Sequence, residues 1–198
     1  MMSKSSENKI NIWQELAEET GGKFIEGHSW HSDRTEVEYN NWKIIFDNFT
    51  LWSGKYHTEM TRVIAPIIST NDFKFEIYRN GFIRKIEKLF GAQVVEIGNI
   101  EFDKAFVIKS NNEFKIKTFL RNKKIRNLIE LEKEVNIQIC DQKGIWEEKL
   151  PQNELELSFF WDEEIKDIEK LKSILNLFIE MLNELYQMKT IVPNKTDH

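Results

Sequence analysis

Residues 154–188 read ELELSFFWDEEIKDIEKLKSILNLFIEMLNELYQM, and this stretch decides the fold. Its opening residues alternate. Leu155, Leu157, Phe159 and Trp161 share one face of a strand, while Glu154, Glu156 and Ser158 take the other and point away from the core. The period then changes. Ile165, Ile168, Leu171, Leu175, Phe178, Leu182 and Leu185 recur at helical spacing, and Ile174, Ile179 and Tyr186 widen the stripe beyond a coiled-coil seam. The reading is a helix from about Glu163 to Met188, capped by Asp162. So broad a stripe needs a sheet or several helices beneath it, and it is read as lying across the antiparallel sheet. The fold class that follows is α+β: mainly antiparallel sheet, with the long C-terminal helix and shorter helices packed on one face.

Working back toward the N-terminus, a helix is expected from Ile12 to Thr20, capped by Asn11 and closed by Gly21-Gly22. A meander of strands follows: Phe24-Ile25, then Arg34 to Tyr39, an Asn40-Asn41 turn, and Trp42 onward through Trp52. Further strands are read at His57 to Ile64 and at Phe73 to Tyr78, with Phe73, Phe75 and Ile77 facing inward and Lys74 and Glu76 outward. Asn80 caps a short helix over residues 82–90, and strands are read at 94–97 and 105–108. Ser110 and Glu113 have capping-box spacing, so a helix starts at Asn111 and reaches Leu131, broken near Asn122. Strands at 135–140, 145–149 and 155–161 complete the series.

The 198 residues suit a single domain, with tails at 1–9 and 190–198 and two lobes meeting near 98–100 as an alternative division. At 40% hydrophobic, with 14 Phe and 6 Trp, the chain can build its core without disulfide or metal. A net charge of -5 argues against general nucleic-acid binding. The single cysteine, Cys140, cannot form an internal disulfide and points to a reducing compartment. The start is polar, and the longest apolar run, 174–186, is broken by Asn176, Glu180, Asn183 and Glu184, so no membrane segment is expected. Together these features predict a cytoplasmic protein.

Four groups of residues invite a chemical reading. His28, His31 and Asp33, with His57 and Glu59 from the next hairpin, have the side chains of a metal site or of a metal-dependent or hydrolytic enzyme; their spacing matches no standard zinc pattern, and a solvated polar loop is the preferred reading. Cys140 has Asp141 beside it, which opposes thiolate formation and favours a structural thiol. Lys115, Lys117, Arg121, Lys123, Lys124 and Arg126 form the one strongly basic stretch, suited to phosphate or nucleic-acid contact if they share a face and to a solvated helix if they do not. Asp47, Arg62 and Asp103 sit among apolar strand residues, where an ion pair is expected. The nucleotide-binding glycine motifs, the nucleophile elbow, H-E-x-x-H and C-x-x-C are all missing, and no cofactor is expected.

Residues 58–66, 72–79, 90–98, 102–111 and 165–172 resemble a family of conserved bacterial cytosolic proteins without assigned activity, most specifically through Phe102-Asp103-x-x-Phe106-x-Ile108-Lys109. Where that family carries a Gln-Asp pair, this chain has Gln93-Val94. The resemblance implies a bacterial cytosolic protein and brings no catalytic residues with it. Read bottom-up, Phe102 and Phe106 place two rings on the core from a turn before a strand, and Asp103 caps that turn or pairs with Arg62. The functional expectation is a non-enzymatic soluble protein that binds a partner or small ligand. Surplus apolar surface on Phe82, Phe90 or the last helix would also serve a homodimer.

Overall fold

Alternating apolar residues in successive segments produce one large antiparallel sheet. The computed structural model describes residues 11–29, 31–53, 55–81, 92–142 and 149–193. In chain order the elements are α1 (Ile12–Thr20), β1 (Lys23–Ile25), β2 (Arg34–Tyr39), β3 (Trp42–Ser53), β4 (Tyr56–Ser69), β5 (Phe75–Arg79) and β6 (Gln93–Val94). There follow α2 (Ile100–Ala105), β7 (Phe106–Ser110), α3 (Glu113–Phe119), α4 (Lys123–Leu131), β8 (Asn136–Cys140), β9 (Glu154–Trp161), α5 (Ile168–Gln187) and β10 (Ile191–Val192). The strand order is β1-β2-β3-β4-β9-β8-β5-β7-β6, with β10 paired to β4 and every neighbouring pair antiparallel. Strands from before and after residues 98–100 pair within the sheet, β4 with β9 and β5 with both β7 and β8.

The inward face carries Val37, Ile44, Phe46, Val63, Leu157, Phe159, Ile137, Phe75 and Ile77, all buried in one cluster with residues from all five described helices. Of these helices, α5 contributes most: Leu171, Ile174, Leu175, Leu177, Phe178, Met181, Leu182 and Leu185 are buried. Each such side chain supplies on the order of 1.5–3 kcal/mol of transfer energy before chain entropy is counted. The apolar face proposed for a homodimer on this helix is thus consumed within the chain. Residues 82–90, with Phe82 and Phe90, lie outside the described residues, as does most of the expected strand at 145–149.

Several local readings hold. Asn11 Oδ1 accepts the Trp13 amide at 3.0 Å to start α1, and Gly21, at φ +69°, ends it. Asn40 and Asn41, at φ +48° and +68°, turn β2 into β3. Others are corrected. The cap of α3 is Asn112, not Ser110, whose hydroxyl donates instead to the Lys74 carbonyl. A six-residue helix, α2, replaces the expected turn before β7. The strand expected at 94–97 shrinks to the two-residue β6. The C-terminal tail starts later than expected, because Thr190 and Ile191 are buried and β10 pairs with β4.

The start of α5 is also displaced. Asp167, not Asp162, caps it, accepting the Glu169 and Lys170 amides. The cause lies on β4. The Thr61 hydroxyl donates to the Glu163 carbonyl at 3.0 Å and accepts the Ile165 amide at 2.8 Å, so 163–165 are held alongside the strand.

The outward face is not exterior. Glu76 on β5, Gln138 on β8 and Ser158 on β9 are register partners in one row, and none exceeds 1% exposure. Glu156, Cys140 and Phe160 on the same face are also buried. The alternation is as read from the sequence, but its polar side is covered too.

Candidate anion-binding groove

The basic stretch is divided by the break between α3 and α4. Ile116 and Phe119 anchor α3 in the core, the Phe119 ring tilted against Phe75 with centres 5.1 Å apart, and this turns Lys117 outward. Lys117 makes an ion pair with Glu113 one turn earlier, at 2.6 Å. The helix ends at Leu120, and Asn122 starts α4 by accepting the Lys124 and Ile125 amides. The Asn122 side-chain amide donates to Glu184 on α5 at 2.8 Å. Arg126 donates to the Leu120 carbonyl and so ties the two helices at their junction.

Opposite this junction stands the loop between β6 and α2. The Asp103 carboxylate accepts the Ile97 and Gly98 amides, each at 2.9 Å, and Asn99 accepts the Phe102 amide at 3.1 Å. Gly98 takes φ +83°, a region costly for a side chain bearing Cβ. The Phe102 and Phe106 rings, 4.6 Å apart, root the loop in the core. Asp103 is thereby committed to its own loop. Arg62 pairs with Asp47, its Nε at 2.9 Å and its Nη2 at 2.5 Å from the two carboxylate oxygens.

Between loop and helices lies a groove of about 650 Å³. Lys117, Arg121 and Arg126 line it, with Glu101 as its only lining carboxylate among the described residues. Ile97, Ile100 and Leu120 provide apolar wall. The exposed Arg121 has no side-chain partner among the described residues. The other three cations of the stretch go elsewhere. Lys115 lies 5.8 Å from the Phe73 ring centre, Lys124 pairs with Glu180 at 2.7 Å, and Lys123 is exposed at the start of α4. Half of the basic stretch shares a face. The loop that completes the groove was missed, since nothing in residues 97–101 signals which cations they will meet.

The histidine group does not assemble. Asp33 accepts the Gly27 amide at 2.7 Å and the Asn11 side chain at 2.5 Å, closing its own loop. His28 and His31 are exposed, joined only by a backbone bond from His31 N to His28 O. His57 sits opposite Trp52, four residues along β4 from Thr61, the partner of Asn48; that is ~13 Å of strand from where Ser32 bonds Asn48. No group of three or more metal-ligating side chains comes together among the described residues. Cys140 is buried, its Sγ 3.3 Å from the Gln142 carbonyl. Beside it, burial pushes the Asp141 carboxyl up, but Lys74 at 2.8 Å and Lys149 outweigh this and hold it below its usual range.

A second cluster of charges gathers where α4, β9 and α5 meet. Burial pushes Glu132 up, with Lys170 at 3.8 Å opposing. Glu134 is raised by burial and by Asp162 and Glu163. Lys170 lies over the Trp161 ring, and burial lowers it despite Glu132 and Glu134. These charges largely answer one another, and Arg79 fastens the site by donating to the Glu132 carbonyl at 2.6 Å.

No family model and no curated protein matches the sequence. Among solved structures, the crystal structure of the mycobacterial trehalose monomycolate transport factor A, TtfA, is similar, with a TM-score of 0.55 at 8% identity over 91% of this chain and 96% of that one. At such identity the likeness concerns the fold. No helix among the described residues is long and apolar enough to cross a membrane.

Proposed function

We propose that this protein is a non-enzymatic binding protein that receives a phosphate-like anionic group in the groove between the 97–101 loop and the α3–α4 junction. One observation carries the reading: Lys117 on α3, Arg126 on α4 and Arg121 between the two helices line a single concave surface. Guanidinium groups suit such anions because their planar donors match paired oxygens. Among the described residues that line the groove, Glu101 is the single carboxylate and no cysteine, serine or histidine stands beside it, which favours binding over turnover.

The test is an amide NMR titration with inorganic phosphate. Shifts confined to residues 97–101 and 117–126, abolished by Arg121→Glu, are the expected result. Arg121 is exposed, so the variant keeps its fold. Uniform or absent shifts in the native protein would remove the proposal.

A further inference from the structure

The buried outward face of the sheet carries polar groups that strand pairing leaves without partners. At its centre Gln138 on β8 and Ser158 on β9 are cross-strand neighbours, with Glu76 on β5 next in the same row. Gln138 and Ser158 are both withdrawn from water, at 1% and 0% exposure. Yet the Gln138 side-chain nitrogen, Nε2, and the Ser158 hydroxyl make no hydrogen bond among the described residues. Asn136 lies two residues before Gln138 and so on the same face, opposite Tyr78. Its side-chain oxygen, Oδ1, is likewise buried with no hydrogen bond among the described residues. Burying a donor without an acceptor is costly, and native proteins seldom leave several such groups side by side. Here three occur within neighbouring rows of one ladder.

The three groups differ in what they need. Gln138 Nε2 has protons to give, Asn136 Oδ1 has lone pairs to receive them, and the Ser158 hydroxyl does either. A cation would face the Gln138 protons. An anion would face the Asn136 oxygen and the carboxylates of Glu76 and Glu156 on the same face. The molecule that answers all three is therefore neutral, and both donates and accepts. Directly paired residues on neighbouring strands hold their Cβ atoms about 4.5–5.5 Å apart. Two hydrogen bonds through a single oxygen atom cover that span, which suits water. We propose that β8 and β9 hold an internal water site on this face, in which an ordered water accepts from Gln138 Nε2, donates to Asn136 Oδ1 and bonds the Ser158 hydroxyl. Buried waters commonly make about three such bonds. The site ties the two strands through their side chains as well as their backbones, in the middle of the strand order.

Two measurements on the full chain test the site. The first is NMR transfer of magnetisation from water to the Gln138 side-chain amide protons. A long-lived water gives a cross-peak in the native protein, and the cross-peak persists in Ser158→Ala, where no hydroxyl proton can relay it. Its absence from the native protein, or its loss in Ser158→Ala, overturns the proposal. The second is the sign of the change in urea midpoint. Were Gln138 and Ser158 merely unbonded, Ser158→Ala and Gln138→Met would each remove a buried polar group without loss and raise the midpoint. With a bridging water, each single substitution takes a partner from it and lowers the midpoint. The double variant then falls by less than the two singles together. A higher midpoint in either single variant, or strict additivity, overturns the proposal. Release of an equimolar small organic molecule on denaturing the native protein, read by mass spectrometry, would assign the site to that molecule and not to water. The native spectra decide the matter even where a variant fails to fold.

Discussion

Single residues in this protein often answer to a neighbour far away in sequence or to the backbone directly above them. Gly27 is the sharpest case. A Cβ built there would stand 2.2 Å from the His31 carbonyl oxygen and 2.5 Å from the Ser32 carbonyl carbon, both backbone atoms of the same loop. The loop is drawn this tight because Asp33 accepts the Gly27 amide. Gly27→Ala must therefore open the loop or break that bond, at about 1–3 kcal/mol, the usual cost of overpacking. Urea unfolding is the measurement; an unchanged midpoint would mean the loop relaxes without strain. The same Asp33 explains why two histidines nearby do not mark a metal site. Its oxygens are occupied in closing the loop, and His28 and His31 remain in water.

At the scale of elements, Thr61 decides where α5 begins. Both Asp162 and Asp167 have the side chain of a cap, and periodicity cannot choose between them. The choice is made by a hydroxyl on β4, which takes the Glu163 carbonyl and the Ile165 amide and delays the helix. Thr61→Val keeps the shape and β propensity but removes both bonds, leaving a buried Ile165 amide without a partner, at a cost of about 1–3 kcal/mol. Denaturant unfolding checks this, and the amide of Ile165 should lose hydrogen-exchange protection first. An equal midpoint with unaltered protection would show that the hydroxyl does not hold the segment.

Pro66 shows the same dependence on context. A proline argues against a central strand, and the expected strand stops at Ile64. The strand instead continues to Ser69 because Pro66 falls in a gap. Pairing with β3 ends at Ile64 and pairing with β10 begins at Ile68. Even-numbered amides here point to that side, as the bond from Thr70 N to Thr190 O shows, so the absent donor forfeits no rung. What was legible in the sequence was therefore the facing of residues: 12–20, 34–39 and 154–161 carry their periods openly. Coverage and partnership were not. Leu157 and Ser158 are correctly assigned to opposite faces, yet no alternation reveals that the Ser158 face is also buried. The cations of 115–126 are visible as a run, but the loop at 97–101 that turns three of them into a groove is fixed by Asp103, Asn99 and the Phe102–Phe106 pair.

Across the whole molecule, charge is distributed unevenly. The chain carries 33 acids and 28 Lys and Arg, yet residues 114–129 hold six cations and no acid. The counterpart lies where α4, β9 and α5 converge. There Glu132, Glu134 and Asp167 act on Lys170, with Lys133 adjacent, and Asp162 and Glu163 act on Glu134. Burial, then Asp162 and Glu163, raise the Glu134 carboxyl above its ordinary value of 4.5, and its Oε2 is buried without a hydrogen bond. Because the folded-state value is raised, folding favours the protonated form. The stabilising contribution is complete below the unfolded value and is lost as pH rises through the folded one. At about pH 7 the native protein therefore bears a cost that an uncharged side chain avoids. Glu134→Gln should raise the thermal midpoint there, and the advantage should shrink on acidification and vanish once both folded and unfolded carboxyls are protonated. A midpoint difference that stayed constant with pH would trace the effect to packing. A lower midpoint at neutral pH would show that attraction to Lys170 outweighs burial and the two neighbouring acids.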